Sequence, residues 1–246
     1  MATLIYSTDG ALMDIQQEGP DRAVIGNQEV PYITGSQLRQ YAATVYSESS
    51  FMGLVRQIAP ADPLGEMMRE TFAITLTMYN YAMAKGAAFQ RAGRRYGLNE
   101  LLTDSNYTKG ITSPAHHEYF TPNVGDETRR RFATLAVIKL FTRQTHDVQE
   151  VIQRLAGAQY WDGNDLFRLF QAHFRAKNGF ELSDPAHGMI YQGVTVVPGV
   201  QSISTCPAQN PNVAQKRQFT YRSTMTCGGT IFFRIHEQAA AQGITW

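Results

Sequence analysis

The residue whose setting most suggests chemistry is Glu48. It lies in Tyr41-Ala-Ala-Thr-Val-Tyr-Ser-Glu-Ser-Ser50, at the end of a helical run, among three serines and close to aromatic and apolar residues. A carboxyl held against such a face can keep its proton at neutral pH, because burial disfavours the charged form. Cleavage of a glycosidic bond needs an acid of that kind to protonate the leaving oxygen. The plainer reading is an exposed glutamate near a helix C-terminus, and periodicity alone fits it at least as well. A second carboxylate would set the stereochemistry: a separation of roughly 5 Å goes with retention, and roughly 6.5 to 9.5 Å with inversion by a bound water.

Candidates for that second acid are Glu66 and Glu70, on one helical stripe, and Asp162 and Asp165 in Tyr160-Trp-Asp-Gly-Asn-Asp165. The aspartates also have a structural reading, since Asp-Gly is a turn signal and Asn164 or Asp165 a natural helix cap. A lytic transglycosylase would need only one acid, the sugar's own hydroxyl attacking. Around such a cleft Tyr160, Trp161, Tyr119 and Phe120 could stack on sugar rings, although core packing is the commoner use of an aromatic residue. Thr77 and Asn80 sit in an apolar helix, where Asn80 must find hydrogen-bond partners in a substrate or in a neighbouring loop.

The cysteines give a different chemistry. Cys206 and Cys227 are compatible with two separate thiols or with one disulfide, and are too few for a structural zinc site without histidine help. A thiol amidase or peptidase would use one of them as nucleophile and His236 as base. Neither cysteine precedes a helix start that would activate it. The six histidines show no metal-binding spacing, and His116-His117 reads as a solvated loop pair. Gly228-Gly229 belongs to a hairpin and not to a phosphate-binding loop. No metal or cofactor is implied.

The elements that must position these residues are mostly helical. Thr34-Gly-Ser-Gln37 predicts a capping box, and Leu38, Tyr41, Ala42, Val45 and Ser49 then share one helical face. Asp62-Pro63 predicts the start of a long helix running to about Lys85-Gly86, roughly 36 Å. Its stripe Glu66, Glu70, Ala73, Thr77, Asn80, Ala84 is acidic, then small and polar, and could line a cleft. Residues 91 to 125 read as polar and turn-rich. Helical signals return at 127–144, 147–158 and 164–177, the last closing on Asn178-Gly179. Gly193 to Pro198 reads as a strand, and Phe219–Met225 with Thr230–Ile235 as a hairpin. The expectation is a single mainly α (α+β) domain over 1–246, with 1–33 an irregular arm or small hairpin, 34–180 a helical core, and 190–246 a β-containing part.

Four short stretches carry resemblances. Tyr41 to Ser50, followed by Phe72-Ala-Ile-Thr-Leu-Thr-Met-Tyr-Asn80, is similar to the core of bacterial cell-wall hydrolases related to spore cortex-lytic enzymes. In those a helix ends in an aromatic residue, a small residue, the catalytic glutamate and a small residue, and a second apolar helix closes on Asn-Arg. Glu48 matches the glutamate and Asn80 the asparagine, while Tyr81 stands where the arginine is expected. Gly157 to Phe167 and Gly228-Gly-Thr-Ile-Phe-Phe-Arg-Ile235 resemble segments of lysozyme-like muramidase effectors of type VI secretion systems. The resemblance implies a lysozyme-like fold and cleavage of the peptidoglycan glycan strand, with Glu48 as general acid. It further implies an antibacterial toxin with a secretion apparatus and an immunity protein as partners.

Composition is compatible with this. Hydrophobic residues at 43% and charged residues at 17% describe a folded chain, and a formal charge of +1 argues against a nucleic-acid binder. The basic run Arg129-Arg-Arg131 reads as a solvated helical face. No apolar run reaches the roughly 18 residues of a membrane span, and the N-terminus lacks the pattern of a signal peptide. The expectation is synthesis in a cytoplasm, export by a dedicated machine and action in a target cell's periplasm. A non-enzymatic binding module of a secretion or phage particle remains the third reading.

Overall fold

The computed structural model describes residues 2–108, 110–163, 179–184, 187 and 219–243. Among these are eight α-helices and two four-stranded sheets, a mixed α+β architecture that is mainly helical. Helix 164–177, strand 193–198, Asp165 and Cys206 lie outside the described residues.

The capping box is present: Gln37 N donates to Thr34 Oγ1 and Thr34 N to Gln37 Oε1. It opens α1 (Gly35–Glu48). Leu38, Tyr41, Ala42 and Val45 are buried as their spacing predicts, but so are Ala43, Thr44 and Tyr46 on the other side. The second half of α1 is therefore a central helix and not an amphipathic one. Small Ala and Thr side chains let neighbours approach from every direction, which a one-face pattern does not reveal. Tyr41 keeps its hydroxyl satisfied by donating to Thr75 O at 2.7 Å.

After α2 (Met52–Ile58), Asp62 caps α3 (Pro63–Arg91), which runs past Gly86 by a further turn. Gly86 is not a stop. A Cβ there would lie 2.7 Å from Tyr96 O, so the glycine makes room for the returning chain. α3 packs on α6 (Glu127–Thr142), and α1 packs on both; Phe72, Ile74 and Met78 of α3, Ala133, Val137 and Ile138 of α6 and Leu101 of α4 (Leu98–Leu101) are buried in one core. α5 (Pro114–Phe120), capped by Ser113, packs on α1, and α7 (Gln149–Leu155) on α3.

The first 33 residues are not an irregular arm. They form a sheet of β1 (Thr3–Tyr6), β2 (Leu12–Gln16), β3 (Arg22–Ile25) and β4 (Gln28–Glu29), in the order β2-β1-β3-β4 with β1 and β3 parallel. Strands of two to five residues are too short to display alternation, although Asp9-Gly10 and Gly26-Asn27 do mark two of its turns. Leu4, Tyr6, Ala23 and Ile25 bury themselves against the helices.

The second sheet joins the expected hairpin, β7 (Tyr221–Cys227) and β8 (Thr230–Ile235), to β5 (Tyr160–Asp162) and β6 (Phe180–Glu181), in the order β5-β8-β7-β6. β5 thus lies inside the 34–180 segment expected to be a helical core, between two of its expected helices, and β6 lies at its end. The short helix α8 (Glu237–Ala241) follows β8. Among the described residues no helix is long and apolar enough to cross a membrane.

Candidate active site

The serines around Glu48 terminate its helix. Ser49 Oγ donates to Tyr46 O, one of the carbonyls that a helix end leaves without partners, and Ser47 Oγ donates to Thr44 O. Ser49 is extended (φ −80°, ψ 159°), and the chain turns through Ser50 and Phe51 into α2. Glu48, the last residue of α1, is left half-buried at the edge of a cleft of about 450 Å³.

Three donors hold its carboxylate. Thr108 Oγ1 and Gly110 N, the latter at 2.5 Å, donate to Oε1, and Trp161 Nε1 donates to Oε2 at 3.3 Å. They come from two regions far apart in sequence, Thr108 with Gly110 and Trp161 of β5. Gly110 has no substitute: a Cβ there would sit 2.9 Å from Glu48 Cγ and closer still to Oε1 and to Ser47 Oγ. Behind the carboxylate Tyr107 stacks on Tyr81 at 3.6 Å and meets Trp161 edge-on at 5.4 Å. Tyr107, Tyr160, Trp161 and Asp162 line the cleft with Ser50, Phe51 and Thr230.

A charged layer lies under the turn after Glu48. Arg129 of α6 is buried, stacks over Tyr46 at 4.5 Å, and donates to Ser49 Oγ at 3.0 Å and to Ser49 O. Burial pushes its guanidinium below the usual value, against the attraction of Tyr46, Glu70, Asp126 and Glu118. Glu70 of α3 is wholly buried and accepts from Ser50 N, Ser50 Oγ and Thr230 Oγ1. Burial raises its pKa from 4.5 to about 8, because loss of water outweighs the hydrogen bonds and the nearby Arg129.

The stripe on α3 does not line a cleft. It is the seam that the second sheet and the 157–160 segment cover. Glu66 binds Arg69 and accepts from Gly228 N at 2.8 Å, Thr77 is buried, and Asn80 Nδ2 donates to Ala158 O at 3.0 Å. Asn80 therefore satisfies a loop, one of its two expected uses, and Glu66 and Glu70 face the hairpin tip. Of the acids named from sequence, the structure brings Glu48 and Asp162 to one cleft, with Tyr160 and Trp161 beside them. Tyr119 and Phe120 lie on α5 instead, against Tyr46 and beneath Arg39.

The basic run is not a solvated face. Arg129 is buried as described, Arg130 binds Glu127 and the carbonyls of Glu118, Thr121 and Val124, and Arg131 pairs with Asp9. Nor is His116-His117 a solvated loop pair: both sit on α5, and burial, with His117 adding to it, pushes His116 below its usual pKa. Tyr107, Thr108 and Gly110 are not among the residues expected at the site, and Arg129 is expected on a solvated face. The one local signal is Gly110, two residues from Thr108 and from Thr112, a pattern common in turns.

For Cys227, the one cysteine among the described residues, the thiol site is not assembled. Cys227 is buried at the hairpin tip, where burial drives its thiol well above the ordinary range. His236 follows the opposite end of β8, roughly 17 to 20 Å along the strand, and is engaged by Glu181 at 2.8 Å. Compared with models of protein families, with curated proteins and with solved structures, the chain matches none.

Proposed function

We propose that this protein cleaves the glycan strand of peptidoglycan, with Glu48 as general acid. The observation that carries the reading is the setting of Glu48: one carboxylate at the end of a buried helix, held by donors from Thr108, Gly110 and β5, beside a half-exposed tryptophan at an open cleft. An oriented acid next to an aromatic face is what glycoside cleavage needs, since sugar rings pack on aromatic side chains while the acid protonates the leaving oxygen. Asp162 lines the same cleft and is the second carboxylate, activating water or steadying the oxocarbenium ion. Trp161 and Tyr160 bind the sugar.

The setting we propose is that of an antibacterial toxin acting on the cell wall from the periplasm. Expression with an added export signal should lyse bacteria, expression without it should not, and Glu48→Gln should be harmless in both. Lysis by a folded Glu48→Gln protein would overturn the assignment of the acid.

A further inference from the structure

We propose that Glu70 is a positioning residue for this reaction: its carboxyl joins the turn that follows Glu48 to the tip of the β7–β8 hairpin, and so fixes where Glu48 points. The proposal rests on the glycan-cleaving reading for its kinetic consequences, but its structural part stands apart from them.

The geometry has three parts. From α3, Glu70 reaches the turn between α1 and α2, where Ser50 N lies 3.2 Å from both carboxyl oxygens and Ser50 Oγ 2.8 Å from Oε1. The same Oε1 accepts from Thr230 Oγ1 at 2.7 Å, at the start of β8. Gly228, with φ +62°, lies directly on the side chain, and a Cβ there would come within 2.6 Å of Glu70 Cβ. Ser50 and Thr230 both line the cleft, so Glu70 links two of its walls from beneath without reaching the substrate space. The turn is gripped at consecutive residues, Ser49 by Arg129 and Ser50 by Glu70. Glu48 precedes them.

The charged and titratable groups around Glu70 are few. Arg129 faces it from α6, Cys227 from β7, and Glu66, bound to Arg69, lies one turn earlier on α3; from β8 it meets the neutral Thr230. Burial favours the protonated carboxyl, while the donors from Ser50 and Thr230 and the nearby Arg129 favour the ionised one, and burial is the larger effect.

The test uses Glu70→Gln, which keeps shape and neutrality, and Glu70→Ala, which removes the tie. On purified peptidoglycan at pH 6.5 the alanine variant should lose about 100-fold in kcat with KM changed by less than about threefold. The glutamine variant should recover most of that loss. An independent readout is the rate at which a thiol reagent modifies Cys227, in a Cys206→Ser background at pH 7. Alanine at 70 should raise that rate by about tenfold or more, as the hairpin tip loosens, and glutamine should leave it near wild type. A glutamine variant as inactive as the alanine one, or a labelling rate that alanine does not change, overturns the proposal. If the wild type leaves peptidoglycan uncut, the glycan reading falls and the labelling alone decides whether Glu70 makes the tie.

Discussion

Replacing Glu70 by glutamine should remove a pH dependence of stability that the wild-type fold carries. The carboxyl has its ordinary pKa of 4.5 in the unfolded chain and about 8 in the fold. Between those values the folded state holds a proton that the unfolded state has released. Stability from this group is therefore fully present below about pH 4.5 and is lost as pH rises through about 8. Each unit of difference is worth about 1.4 kcal/mol, so the loss amounts to at most about 5 kcal/mol, against a total of about 5 to 15 for a typical domain. His116 and His187 act in the opposite direction, because burial pushes both below their usual value, so the slope of the wild type alone is a mixture. The comparison with Glu70→Gln cancels them. Urea unfolding of both proteins at intervals from pH 5 to 8.5 should show the wild type losing several kcal/mol relative to the variant. Parallel curves would refute the assignment of a proton to buried Glu70.

Gly110→Ala should abolish activity and cost about 1 to 3 kcal/mol, since the new Cβ occupies the space of Glu48 Cγ; urea midpoints and peptidoglycan turbidity report the two effects separately. Trp161→Phe removes the Nε1 donor to Glu48 but keeps an aromatic face, and should lower kcat by about tenfold with little change in KM. Cys227→Ala, at a buried thiol far from His236, should leave peptidoglycan cleavage intact and lower stability by about 1 kcal/mol; loss of activity in a stable protein would revive the thiol reading.

The sequence makes some of this legible and hides the rest for identifiable reasons. The start of α1, the start of α3 and the β7–β8 hairpin depend on local signals, Thr34 with Gln37, Asp62 with Pro63, and Gly228 with Gly229, and all are found, the first hairpin strand at Tyr221–Cys227 instead of Phe219–Met225. Local signals cannot show what covers a helix. The stripe from Glu66 to Ala84 has the composition of a cleft wall, yet partners 80 to 160 residues later cover it, so polar residues that look destined for solvent become internal fastenings. Arg129 is the sharpest case: adjacent to two other arginines it resembles a surface, and only the fold places Ser49 and Tyr46 against it. Glu48 and Trp161, 113 residues apart, meet because β5 joins the second sheet, a pairing that no spacing encodes.

The most direct measurement is digestion of purified peptidoglycan by the wild-type protein and by Glu48→Gln, with mass analysis of the soluble products. The expected result is fragments cut between sugars, with stem peptides intact, from the wild type alone; reducing ends would fit the hydrolytic role of Asp162, and anhydro ends a one-acid reaction that leaves Asp162 without that role. Fragments cut within the stem peptide, or equal release by a folded Glu48→Gln protein, would contradict it.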